Sequence, residues 1–204
     1  MTLWRSAPHT QTTGQLVIVV LVLGAMVAGF WTLFVAGEML SDPGGWYGLG
    51  LVLAWVVPML GLGALALLRP AWAAPLLIAL VALWAAASVL TVVYASTWQE
   101  FEDTHGPVGL IVMVALCVPL VALGRTRSLL AGVLLLVVLV IPMLAGVAWV
   151  VTGAGLGGTL ALVTVGMPFL VLAGLLIIVG VLDRRNPPGG LPAQPQVPGP
   201  LARG

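Results

Sequence analysis

The chain has 204 residues, 61% of them apolar and 6% charged, with a mean hydropathy of +1.21. A soluble domain carries about 25% charged residues, so this composition excludes a water-facing globule, and the apolar excess has to face lipid. A net charge of +1 leaves no footprint for nucleic acid, and the single Cys117 rules out a disulfide framework or a cysteine-based metal site.

A bilayer core about 30 Å thick takes roughly 20 apolar residues per helical crossing. The sequence predicts an all-α, polytopic integral membrane protein with six such helices. Residues 1–14 are polar, carry Arg5 and His9, and read as a short cytoplasmic segment. The first helix is predicted over 15–36. A secretory signal would have an apolar region of about 7–15 residues and a small-x-small cleavage site. This run is longer and ends at Gly37-Glu38-Met39, so it reads as a signal anchor and a true first helix.

A loop follows with Glu38, Asp42 and the turn-forming Pro43-Gly44-Gly45. Helices are predicted over 46–68 and 72–94, separated by Arg69-Pro70. Next comes an acidic loop with Glu100, Glu102, Asp103 and His105, then a short helix over 107–123 and a turn with Arg125 and Arg127. The last two helices are predicted over 129–151 and 159–182, closed by Asp183-Arg184-Arg185. Together these segments make a transmembrane domain over 15–185. Residues 186–204 are rich in proline and too poor in apolar residues to fold, so a disordered cytoplasmic tail is expected.

Six crossings put Arg5, Arg69, Arg125, Arg127, Arg184, Arg185 and Arg203 on one side of the membrane. Glu38, Asp42, Glu100, Glu102 and Asp103 fall on the other. Adding or removing one helix would scramble that separation. By the positive-inside rule the expected location is the cell (plasma) membrane, multi-pass, with both termini cytoplasmic. Trp46, Trp72, Trp98 and Trp149 fall near predicted helix ends, where indole rings favour the headgroup level. Trp31, Trp55 and Trp84 sit deeper and are expected to fill space between helices.

Shifted by 61 residues, the segment 42–63 matches 103–124 at nine of 22 positions. The identities include Gly45 with Gly106, Gly48 with Gly109, Ala54 with Ala115 and Pro58 with Pro119. A further shift of 49 brings Thr152, Gly155, Gly158 and Pro168 onto the same frame. The pattern suggests three parallel two-helix hairpins, each with a glycine turn outside and a returning helix broken by proline. Pro58, Pro119, Pro142 and Pro168 are the expected helix breaks. Gly24 with Ala28, Gly61 with Leu65, and Gly174 are positions where small residues could let helices approach closely.

None of the six predicted helix cores contains an ionisable residue, the usual mark of a transport or proton-relay site. Thr32, Ser88, Thr91, Cys117 and Thr164 are the polar groups inside, and hydroxyls readily bond their own helix. The outer loop holds the one cluster of titratable groups: Glu100, Glu102, Asp103 and His105. In a helix Glu102 and His105 would share a face, a spacing that metal sites use. A metal needs three or four ligands, however, and the other loops add only Glu38 and Asp42. The cluster therefore reads as a solvated loop in which Asp103 or Thr104 caps the next helix. No catalytic residue and no cofactor is expected.

The favoured reading is a non-enzymatic subunit or scaffold whose partners are the lipid bilayer and another membrane protein or copies of itself. The alternative is a small permease or channel in which proline breaks expose carbonyls to a solute. A third reading, a membrane enzyme, would have to use the outer acidic loop.

Overall fold

The computed structural model describes residues 8–41, 45–105, 108–151 and 157–185. They form seven helices and, among the described residues, no strand: α1 (Pro8–Met39), α2 (Gly45–Leu68), α3 (Pro70–Val93), α4 (Ala95–His105), α5 (Val108–Leu123), α6 (Ser128–Val151) and α7 (Gly157–Arg185). Helices α1, α2, α3, α6 and α7 are long and apolar enough to cross a membrane, and α5 is a shorter apolar helix of 16 residues. Without water to bond, backbone groups in lipid must pair within their own segment, which is why long apolar runs become helices.

Helices α1 and α7 run three residues past their expected ends, to Met39 and Arg185, which places Glu38 in α1 rather than in a loop, and two larger differences stand beside these. Helix α1 begins at Pro8, inside the polar stretch expected to precede it. Proline suits a first helical turn because the N–H it lacks would have no partner there. The larger correction is the acidic stretch, expected as a loop, which is the helix α4. At Tyr94 (φ −111°, ψ 40°) the chain bends, and Tyr94 itself stays bonded on both sides. Tyr94 donates its N–H to the Leu90 carbonyl at 3.1 Å, and its own carbonyl accepts the Trp98 N–H at 2.9 Å. Trp98 and Phe101 stand one turn apart on α4, their ring centroids 5.6 Å apart. The tail over 186–204, Asp42-Pro43-Gly44 and Thr152–Leu156 lie outside the described residues.

The other boundaries follow local chemistry. Gly45 opens α2 at φ +60°, a left-handed conformation that costs glycine nothing. Pro70 opens α3 directly after Arg69. Between α5 and α6 the N–H groups of Gly124, Arg125, Thr126 and Arg127 all bond carbonyls of the last turn of α5, so the short link leaves few orphan acceptors.

Helix α5 is the centre of the bundle. Nine of its residues are buried, including Met113, Val114, Cys117, Pro119 and Leu120, and α1, α2, α3 and α6 all pack on it. The most intimate pair is α6 with α7. A Cβ on Gly132 would lie 2.9 Å from the Ala173 carbonyl, and one on Gly180 would lie 2.5 Å from the Leu129 nitrogen. Gly166, the third close approach, sits under Met143 and Leu139. Gly166, Ala173 and Gly180 are seven residues apart each time, so they form one small-residue stripe against α6. Van der Waals packing through such stripes drives helix association where lipid competes equally for apolar surface. Of the small residues singled out from sequence, Gly24 lies tight under Val121, whereas Gly61 and Gly174 have nothing within 4 Å of a Cβ.

Sequence neighbours are not uniformly neighbours in space. Helices α6 and α7 form a close hairpin, but α1 touches α2 only lightly and packs chiefly on α7 and α5. Two weak bonds to sulfur join α1 and α2: Trp55 Nε1 to Met39 Sδ at 3.3 Å and Thr32 Oγ1 to Met59 Sδ at 4.0 Å.

Candidate functional site

Charged side chains gather at the two ends of the bundle. Gly180 seats beside Leu129, so the C-terminal end of α7 lies next to the start of α6. Gly63 of α2 faces Val118, six residues before the Arg69 link, while Gly109 lies by Trp84, well beyond that link on α3, so α5 runs toward the Arg69 end alongside α2 and in the same direction. These registers bring exposed Arg69, Arg125, Arg127 and Arg184 to one end. Glu38, Glu100 and Glu102 belong to the other, where α1 ends and α2 and α5 begin. Arg185 is the last residue of α7, and Arg5, Arg203 and Asp42 lie outside the described residues.

At the acidic end Glu102 has a defined job. Its Oε1 accepts the Gly109 backbone N–H at 2.9 Å. Gly109 is in the first turn of α5, whose N–H groups have no intrahelical acceptor, and a carboxylate there also meets the positive end of the helix dipole. Glu102 thus caps the first turn of α5 from a separate helix. The Thr104 side chain, expected with Asp103 as the cap, lies outside the described residues. The side chains of Asp103 and His105 lie outside the described residues. Among the described residues no three His, Cys, Asp or Glu side chains converge as a metal site would require.

Gly109 is a close-approach position as well. A Cβ there would lie 3.0 Å from the Glu102 carboxylate oxygen and 3.8 Å from Trp84 Cη2. Trp84 of α3 is 9% exposed, and its Nε1 donates to the Val138 carbonyl of α6 at 3.2 Å. That carbonyl is available for a covalent reason. Its intrahelical donor would be the N–H of residue 142, which is proline and has none. The tryptophan expected only to fill space therefore also satisfies the acceptor that Pro142 releases. Pro142 is missing the bond, and Trp84 supplies it.

The remaining prolines sit in different surroundings. Pro58 of α2 is exposed, Pro119 of α5 is buried and Pro168 of α7 is half-buried. Pro75 of α3, not singled out from sequence, is exposed, and all five helices run continuously through their prolines. Two hydroxyls inside the spans bond their own helix, Ser88 Oγ donating to the Trp84 carbonyl at 2.9 Å and Thr91 Oγ1 to the Ser88 carbonyl at 2.8 Å, whereas Thr32 reaches across to Met59. Cys117 is a free thiol, fully buried at the centre of α5.

A groove of about 380 Å³ lies in the bend between α3 and α4, lined by Leu90, Thr91, Tyr94, Thr97, Trp98 and Phe101. Its accessible walls are almost entirely apolar, and the residues that line it include no acid or base. Trp84 and Glu102, by contrast, hold α3, α4, α5 and α6 together at one junction. Sequence reasoning placed both residues and missed the junction. The signals were present: a proline four residues after Val138 and a carboxylate seven residues before Gly109. Compared with known protein families, with curated proteins and with solved structures, the chain matches none.

Proposed function

We propose that the chain crosses the cell membrane six times and acts as a non-enzymatic subunit that works through a membrane partner. In this reading α5 is the sixth crossing, held at the bundle centre, and the arginine-bearing end and both termini face the cytoplasm. At 16 residues it is about 24 Å long, short of the hydrocarbon thickness, so its ends sit near the interfaces.

The observation that carries the partner reading is the uneven burial of the spans. The apolar windows of α1 and α2 are 17% and 22% buried, against 44% in α6 and α7. On this outward face Gly29, Gly50 and Gly61 have open space above them. Flanking side chains include Phe30, Leu33 and Val57, each at least 60% exposed. Exposed glycines let a second helix approach more closely than lipid chains require. The test is purification of the tagged protein from its native membrane in mild detergent, with stoichiometry read by mass spectrometry. A second membrane protein at near-unit ratio is the expected result, and Gly61→Leu should deplete it while leaving the melting temperature unchanged. Recovery of the chain alone would overturn the reading.

The small permease remains as a second reading, favoured by Pro119 and Pro168 lying within the bundle. In that case Pro119→Ala or Pro168→Ala should alter solute flux in liposomes, and unchanged flux in both would remove it.

A further inference from the structure

We propose that Trp84 and Pro142 form a latched hinge in α6, and that α4 holds the latch shut through Glu102. Proline inside a helix removes one backbone bond and crowds the preceding turn, so it is where a long helix bends. Val138 is fully buried, which leaves its released carbonyl without access to water. Such an orphan is costly unless another group donates to it. The donor is the Trp84 indole at 3.2 Å. While that bond is made, α6 runs unbroken from Ser128 to Val151.

The two halves of α6 are held differently. The inner half is clamped to α7 where Gly132 meets the Ala173 carbonyl and the Ile177 nitrogen, and where Leu129 meets Gly180. Beyond Pro142 the hold is looser: Met143 still covers Gly166 and Ala145 is buried, but Leu144, Val147 and Val151 are 63%, 53% and 82% exposed, against 45% and 40% for Val133 and Leu136 before it. Opening the latch therefore moves the outer half and leaves the inner half in place.

The other edge of the indole faces the start of α5. A Cβ on Gly109 would lie 3.8 Å from its Cη2, an ordinary contact distance, and Gly109 is held by the Glu102 carboxylate of α4. Releasing that carboxylate lets the first turn of α5 shift from under the ring. A change at the exposed acidic helix thus reaches the proline break in three contacts, from Glu102 to Gly109, from Gly109 to Trp84 and from Trp84 to the Val138 carbonyl.

The experiment uses the full chain in lipid nanodiscs, with Cys117→Ala as the parent and spin labels at Val133→Cys and Val147→Cys. Both sites are exposed and flank Pro142, with about 21 Å of helix between them. Double electron–electron resonance should give one narrow distance distribution in the parent. Trp84→Phe keeps the ring and loses the donor, and it should broaden or split that distribution. Adding Pro142→Ala restores an N–H to the Val138 carbonyl, and the double variant should return to the narrow form. Glu102→Gln should broaden the distribution in the same direction as Trp84→Phe.

A narrow distribution in Trp84→Phe overturns the hinge. So does a double variant as broad as Trp84→Phe alone, because a packing role for the ring would not be rescued at residue 142. Should Trp84→Phe fail to fold, recovery of folded protein by Pro142→Ala supports the latch, and no recovery overturns it. An unchanged Glu102→Gln removes α4 from the device.

Discussion

Helices α2 and α5 come from the two segments that match in sequence, and the bundle treats them in opposite ways. Val114 of α5 is fully buried, while Leu53, its counterpart in α2, is 50% exposed. Pro119 is buried and Pro58 exposed. One turn, however, is used alike in both. Gly48 lies against the Met39 carbonyl at the end of α1, and Gly109 lies against the Glu102 carboxylate at the end of α4. Each glycine lets the end of the preceding helix close onto the first turns of the next. The shared pattern thus encodes how a helix is entered, and the neighbours decide which of its faces are covered.

The largest way to sharpen this difference is to cut side chains on the two helices. Leu120 of α5 is fully buried, so Leu120→Ala should cost about 2–5 kcal/mol through the cavity it leaves. Leu60 of α2 is 57% exposed, and Leu60→Ala should stay within about 0.5 kcal/mol. Thermal melting in detergent checks both. Similar losses at the two sites would mean that the outer face of α2 is covered as firmly as α5.

A middle-sized effect tests the turn that the helices share. Gly48→Ala would press a methyl group onto the Met39 carbonyl, which is backbone and cannot step aside, so a loss of about 1–3 kcal/mol is expected. At Gly109 the obstacle is the end of a flexible carboxylate side chain, which gives way more readily. Gly109→Ala should therefore cost less in the same melting assay. The reverse order would break the parallel between the two turns.

How much of this was legible depended on the kind of signal. Helix positions were readable because lipid forces long apolar runs into helices, and α2, α3, α5 and α6 fall within two residues of expectation at each end. Buried faces were not readable. These helices are apolar all round, so no amphipathic stripe separates core from lipid. Helix α4 is hidden from sequence because a run of acids reads as the mark of a loop. Tyr94, Trp98 and Phe101 recur at helical spacing through the same residues, and that period carried the correct signal. The glycines that seat α7 on α6 were missed for a similar reason: the useful spacing was seven, through Gly166, Ala173 and Gly180, in a chain where shorter glycine spacings are common.

The smallest expected effect bears on the residues that precede the two glycines. At the same shift of 61, one residue before the matched segments, Glu102 corresponds to Ser41. Glu102 reaches forward to the Gly109 N–H at 2.9 Å, whereas Ser41 Oγ donates backward to the Gly37 carbonyl of α1 at 2.9 Å. The first bond caps a new helix with a charged acceptor, and its loss in Glu102→Ala should cost about 1 kcal/mol. The second bond adds a donor to a carbonyl near an exposed helix end, where other donors can replace it, so Ser41→Ala should change stability by about 0.5 kcal/mol or less. Hydrogen exchange gives a local check. Amides in the first turn of α5 should lose protection in Glu102→Ala, while those of α2 should be unchanged in Ser41→Ala. Equal loss in both would mean that the two helix entries are secured in the same way, and that the divergence between α2 and α5 begins only deeper in the bundle.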